Sequence, residues 1–111
     1  MSTEAFLYLV TRGRNTAMPR EIEIWYVELE GRYYIVSEHG EASQWVKNLR
    51  VHPDVFFSVG TRENRDSQVA KKAAQARPLD DADELTRRAR SLMDAKYGWS
   101  AGLVVEIVPH A

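Results

Sequence analysis

Hydrophobic and polar positions alternate along much of this chain, and the alternation sets the element order. Ala5–Thr11 (AFLYLVT) is aromatic and β-branched and too short for a helix, so it predicts a strand. Glu21–Leu29 alternates cleanly, with Ile22, Ile24 and Tyr26 on one side and Glu21, Glu23, Trp25, Val27 and Leu29 on the other. That is a strand with one buried face. Glu30-Gly31 is a two-residue turn signal, and Arg32–Ser37 (RYYIVS) returns from it with Tyr33 and Ile35 opposite Tyr34 and Val36. After Glu38-His39-Gly40 the period changes. Ala42, Trp45, Val46 and Leu49 lie on one helical stripe, and Pro53 stops that helix. Asp54–Val59 (DVFFSV) is a short strand ended by Gly60.

The next stretch, Thr61–Arg77, carries less pattern. Thr61–Asp66 reads as a polar loop or turn, and Val69–Ala76 has helix-forming composition. Its length and position suit a strand completing the sheet, expected over at least Ala73–Leu79. Asp80–Lys96 is the clearest helix. Asp80 or Asp81 can cap it, and Glu84 follows Asp81 by three residues as in a capping box. Leu85, Ala89, Leu92 and Met93 form its apolar stripe, with Lys96 and Gly98 as terminal signals. Leu103–Val108 (LVVEIV) is the last strand, ended by Pro109. Six strands, short hairpins and two helices predict a mainly β, α+β fold: a small antiparallel barrel or closed-over sheet.

Composition narrows the chemistry more than the fold. A length of 111 residues fits one domain, expected over 1–111, and 44% hydrophobic with 28% charged is ordinary globular material. Lys+Arg 15 against Asp+Glu 16 gives a net charge of -1, so no global field points to nucleic acid or an anionic membrane. Any cationic site must be local. There is no cysteine, which excludes disulfides and thiolate chemistry. The longest apolar runs, Ala5–Val10 and Leu103–Val105, fall far short of the roughly 20 residues of a membrane span. The opening MSTEAFLYLV lacks the features of a signal peptide, so a cytoplasmic location is expected. His39, His52 and His110 are scattered without zinc-site spacing, so no metal is expected. Ser37, Ser43 and Ser58 lack a nucleophile-elbow context, and no glycine-rich dinucleotide or phosphate loop is present.

One local cluster stands out. Val10–Trp25 (VTRGRNTAMPREIEIW) sets Arg12, Arg14 and Arg20 around a turn that holds Gly13, Asn15, Thr16 and Pro19. Such a turn at a sheet edge offers backbone N–H groups and guanidinium forks to an anion, phosphate above all. The alternative is a solvated hairpin with ordinary surface charges. Trp25, Trp45, Tyr97 and Trp99 lie on separate elements that a barrel mouth could bring together. Flat walls beside a cationic loop suit a flat phosphorylated ligand such as a flavin; the alternative is that these aromatics are core.

The run TRGRNTAMPR-EIEIWYV, then GRYYIVS, then Trp45-x-x-Asn48-Leu49 and Pro53, and the ending AKYGWSAGLVVEIVP, resembles the deazaflavin-dependent nitroreductase family of split β-barrel oxidoreductases. The match runs in order over nearly the whole chain. It implies a six-stranded, FMN-binding-like split barrel that holds a deazaflavin (coenzyme F-420) in a groove, with FMN as the alternative cofactor. It implies that Gly13, Arg14, Thr16, Pro19 and Arg20 contact the coenzyme's phosphate and acidic tail, that Trp25, Val36 and Ser37 line the ring, and that Trp45 and Asn48 sit beside it. Tyr97 is the implied substrate-side catalytic candidate, a small electron-poor molecule the implied acceptor, and a homodimer the implied assembly. Two positions depart from the family's loop: Asn15 stands where it has lysine and Ala17 where it has glycine. Arg12 is the candidate replacement for the missing charge.

Overall fold

Seven strands form one antiparallel sheet whose order dictates its shape. The computed structural model describes residues 6–60 and 71–110. The strands are β1 (Phe6–Arg12), β2 (Pro19–Ile24), β3 (Val27–Leu29), β4 (Arg32–Ser37), β5 (Asp54–Gly60), β6 (Lys72–Pro78) and β7 (Leu103–Pro109), in the order β2-β1-β5-β6-β7-β4-β3. β2 and β3 stand at opposite edges, yet only Trp25 and Tyr26 separate them in the chain. Three peptide steps reach about 11 Å at most. The sheet must therefore curl until its edges nearly meet, and it is closed there by the chain rather than by a strand ladder. This is a split barrel.

The same link corrects the expected six strands to seven. Glu21–Leu29 is not one strand but two, broken at Trp25–Tyr26. The alternation gave no warning because its parity survives the break. Ile22, Ile24 and Tyr26 pack on the interior cluster of Leu7, Leu9, Ile35, Val55, Phe57 and Ile107. Trp25 and Leu29 pack on the outer cluster around Val27, Tyr34, Val36 and Val104. The turn between β3 and β4 has positive φ at both Glu30 (54°) and Gly31 (80°), the pairing that matches the twist of a two-residue hairpin.

Two helices complete the packing. A 3-10 turn at Gly40–Ala42 leads into α1 (Gln44–Val51), whose Val46 and Leu49 are buried. Ala42, expected on that stripe, is exposed in the turn. The longer helix, α2 (Glu84–Tyr97), lays Ala89 and Met93 on the outer cluster. Its cap is Asp83, which accepts the Leu85 N–H at 2.9 Å, and not Asp80 or Asp81. Glu84 is thus the first helical residue and closes no capping box. Gly98, with φ 73°, ends the helix in the left-handed region as expected. β6 is a strand despite its helix-forming composition. Ala74 and Ala76 point into the barrel core while Gln75 and Arg77 point out, so sheet pairing overrides local propensity. The loop expected over Thr61–Asp66 lies outside the described residues. No helix among the described residues is long and apolar enough to cross a membrane.

Among the described residues, one charged side chain is fully buried. Glu106 on β7 has no exposed surface and is held by Arg77 Nε (2.7 Å), Arg32 Nη1 (3.1 Å) and the Tyr34 hydroxyl (2.9 Å). Burial alone would raise its pKa, but the hydrogen bonds from Arg77, Tyr34 and Arg32 outweigh it and hold the carboxyl below its usual range. Burial and the bond to Glu106 push the Tyr34 phenol up to about 12. The signs follow from linkage. Glu106 contributes stability that is present above the unfolded value of about 4.3 and is lost as pH falls through the lowered folded value. Tyr34 contributes stability that is present below about 10 and is lost as pH rises through about 12. Glu106→Gln is expected to cost about 2 kcal/mol at neutral pH and to flatten the acid limb of stability in urea titrations. The cost stays below the roughly 3–5 kcal/mol of breaking a wholly buried pair, because half-exposed Arg32 and Arg77 regain water.

Candidate functional site

The β1–β2 turn is folded back on α1. Within it the Gly13 N–H donates to the Met18 carbonyl and the Ala17 N–H to the Gly13 carbonyl, both at 2.8 Å. The Thr16 hydroxyl accepts the Met18 N–H at 3.2 Å. A Cβ at Gly13 would meet that hydroxyl at 2.8 Å, so a larger residue there would displace Thr16 from its bond to Met18. Arg14 ties the turn to the helix. Its backbone N–H and Nη1 donate to Asn48 Oδ1 (3.2 and 2.9 Å), and Nη2 donates to Gln44 Oε1 (2.8 Å). Asn48, buried beneath, donates to the Thr11 hydroxyl at 3.4 Å. Both acceptors are neutral amides, so they orient the guanidinium without cancelling its charge.

Strand register sorts the other arginines. Arg20 pairs with Thr11 on the face that carries Leu9 and Ile22, while Arg12 pairs with Pro19 on the opposite face. The result is a pocket of about 360 Å³ lined by Gly13, Arg14, Asn15, Thr16, Arg20, Ile22, Gln44, Trp45 and Asn48. It contains two guanidinium groups and, among the described residues, no carboxylate. Arg12 and Pro19 do not line it.

Trp45 also lines a larger groove of about 690 Å³. Its other walls are Trp25, Trp99, Ile24, Phe6, Val36 and Met93, and its polar rim is Ser37, Glu38, His39, Ser43 and Glu23. Glu23 accepts the Tyr8 hydroxyl at 2.8 Å. Ser37 and Ser43 hydroxyls lie 2.7 Å apart, and Ser37 donates to the Gly40 carbonyl at 2.9 Å. With Ser43 so engaged, the first turn of α1 has no side-chain cap. Its free N–H groups and dipole end beside both cavities, which favours negative charge there.

Expected site residues thus divide. Gly13, Arg14, Asn15, Thr16, Arg20 and Asn48 come together in the pocket, Trp25, Val36 and Ser37 in the groove, and Trp45 joins the two. Tyr97 is in neither. Its ring stacks on Trp25 at 4.3 Å with planes 1° apart, and its hydroxyl donates to the Tyr26 carbonyl (3.0 Å) and accepts the Tyr26 N–H (3.3 Å). Both of its bonds hold the Trp25–Tyr26 link in place. Trp99, expected among the flat walls, lines the groove. Gln44, Glu23, Glu38 and His39 line the cavities without having been singled out, and nothing in their local pattern marked them.

The departure at Ala17 is also visible in the backbone. Ala17 has φ 60°, the left-handed region where glycine is at ease and alanine costs about 1–2 kcal/mol. Part of that is offset by alanine's stiffer unfolded chain. Ala17→Gly is expected to raise stability by about 0.5 kcal/mol in denaturant titrations; a loss would mean the turn is not strained there.

Solved structures share this architecture. The haem storage protein HutZ of Vibrio cholerae superposes with a TM-score of 0.75 at 16% identity, covering 96% of this chain and 82% of that one. A FAD-binding protein of Mesorhizobium loti gives 0.72 at 15% identity, covering 97% and 83%. An F-420-H2 dependent reductase, FDR-A, gives 0.66 at 18% identity, covering 92% of each chain. These likenesses establish the fold: a split β-barrel. No curated protein sequence matches the chain. Residues 1–102 match the F-420H(2)-dependent quinone reductase family, and the chain belongs to that family.

Proposed function

We propose that this protein is a deazaflavin-dependent oxidoreductase that reduces a small electron-poor acceptor, a quinone in the first instance. One observation carries the reading: an anion-sized pocket with two uncompensated guanidinium groups joins, through Trp45, a tryptophan-walled groove of ring-binding size. Family membership supports the choice of cofactor. The donor set fits it, since Arg14 and Arg20 suit a phosphate and acidic tail, while Trp25, Trp45 and Val36 suit a flat ring. When bound, the reduced deazaflavin supplies a hydride. The chain binds and orients: Arg14, fixed by Asn48 and Gln44, and Arg20 hold the anionic end, and the aromatic walls exclude water from the ring. Tyr97 acts in this reading as a positioning residue behind Trp25, with its hydroxyl occupied by the Tyr26 backbone.

A second reading is a non-catalytic flavin or deazaflavin carrier or sensor, or an FMN-dependent relative. Asn15 in the pocket favours it, because the cradle holds one cation fewer than the family's loop. Titrating coenzyme F-420 and, separately, FMN while following tryptophan quenching decides between them. Tight deazaflavin binding with oxidation of its reduced form by menadione supports the reductase. Binding without turnover supports the carrier, and binding of FMN alone the FMN-dependent relative. A homodimer is the proposed assembly. Phe56, half-exposed on the outer face of β5, supports it, and sedimentation equilibrium tests it.

A further inference from the structure

β2 and β3 are the two edges of the sheet, so among the described residues no strand pairing crosses the seam between them. The chain crosses it through Trp25 and Tyr26. Trp25 lines the groove, so whatever holds this link also places a wall of the ligand site. A link outside any ladder has backbone groups that must find partners elsewhere. The last turn of α2 supplies them. The Tyr97 hydroxyl accepts the Tyr26 N–H at 3.3 Å and donates to the Tyr26 carbonyl at 3.0 Å. Lys96 Nζ donates to the same carbonyl at 3.0 Å and lies over the Tyr26 ring, 4.1 Å from its centroid. The Tyr97 ring in turn lies flat on Trp25, and Trp99, just past the Gly98 cap, meets Trp25 edge-on at 6.3 Å. The anionic end is anchored by the other helix, where Asn48 and Gln44 fix Arg14.

We propose that Lys96 and Tyr97 form a latch across the seam that sets how tightly the groove takes a flat ring, independently of the arginine pocket. α2 governs the ring end of the site and α1 the anionic end. This deepens the coenzyme reading above and rests on it. Neither latch residue lines the groove, so both are positioning residues that act through Trp25 and Tyr26. A wall that stands in place for only part of the time lowers ring affinity by that fraction. It lowers nothing at a pocket built by the β1–β2 turn and α1.

Two variants and two probes test the proposal. Tyr97→Phe keeps a ring to stack on Trp25 and removes both hydroxyl bonds. Lys96→Met keeps the apolar stem and removes the charge. Lys96 is exposed, so this variant tests the latch even where Tyr97→Phe does not fold. The probes are coenzyme F-420 and its deazaflavin ring on the ribitol chain alone, without phosphate or acidic tail, each followed by its own fluorescence. Tyr97→Phe is expected to weaken both probes about tenfold, the loss for a wall in place about a tenth of the time, and Lys96→Met about threefold. Arg20→Ala weakens the coenzyme alone. The Tyr97→Phe, Arg20→Ala double variant loses the product of the two factors to within about twofold, as independent sites do. In the free protein, acrylamide quenching of the tryptophans rises in Tyr97→Phe. Wild-type affinity for the ring in both latch variants, measured well below their melting points, overturns the proposal and leaves Tyr97 a purely structural residue. A double variant far from the product, or a loss for the coenzyme with none for the ring alone, overturns the independence of the two ends. Ring binding that follows this order with no hydride transfer to menadione sinks the reductase reading and leaves the latch standing. Turnover with ring affinity blind to Tyr97 and Lys96 does the reverse.

Discussion

Arg20→Ala is expected to weaken coenzyme F-420 binding about 10- to 100-fold and to leave thermal stability unchanged. Arg20 is exposed on the pocket wall and forms no salt bridge or side-chain hydrogen bond among the described residues, so folding loses almost nothing with it. A charge-assisted bond to phosphate or carboxylate is worth about 1.5–3 kcal/mol, which is the fold-change stated. Arg14→Ala is expected to weaken binding to the same degree and to cost about 1–2 kcal/mol of stability as well. Its guanidinium holds Asn48 Oδ1 and Gln44 Oε1, and its loss removes one of the two donors to buried Asn48 Oδ1, the residue-14 N–H remaining. Calorimetric titration paired with thermal melts of both variants separates the two roles. Wild-type affinity in Arg20→Ala, or a large stability loss there, would remove the turn from the binding site.

Gly102→Ala is expected to cost about 3 kcal/mol or more. Gly102 has φ 139°, a conformation L side chains rarely adopt, and a Cβ there would run into the Ser37 carbonyl. The obstacle is backbone in the register of β4 against β7, where Ser37 pairs with Leu103, so no rotamer change relieves it. Conformational strain of about 1–3 kcal/mol adds to the overlap. Ser37 also lines the groove and holds Ser43 at the start of α1. Any shift that accommodates the methyl group therefore moves the groove wall. Denaturant midpoints should fall sharply, and ligand affinity measured at low temperature should fall with them. A melting point within a degree or two of wild type would show that the β7 entry is looser than its geometry implies.

Sequence alone settled what depends on near neighbours. The faces of Ile22, Ile24 and Tyr26 against Trp25, Val27 and Leu29 were fixed by period-two alternation, since a strand has no other way to bury one side. Val46 and Leu49 of α1, Ala89 and Met93 of α2, the turn at Glu30-Gly31 and the stop at Gly98 were fixed by local chemistry, whereas Leu92 and Ala42, expected on the same stripes, are exposed. The arginine turn was legible in the same way, from residue types and the order of motifs around it.

What the chain order could not decide was which near-equivalent residues tertiary contact would use. Glu21–Leu29 keeps its parity through the break, so only the curl that joins the sheet's two edges divides it into β2 and β3. Three aspartates precede α2 with similar capping ability, and docking of the helix on the outer cluster selected Asp83. Asn48 and Gln44 meet Arg14 only because the β1–β2 turn brings it onto them from 30 or more positions away. Tyr97 could have faced a ligand until the fold set its hydroxyl on the Tyr26 backbone. Alternation and turn residues determined a small antiparallel barrel or closed-over sheet with a cationic turn, because they act over a few positions, and the split barrel followed from the resemblance carried by the order of the motifs. The tertiary structure decided that the turn forms a pocket with two cations, Arg14 and Arg20, next to a tryptophan-walled groove, because those neighbours meet only when the sheet closes.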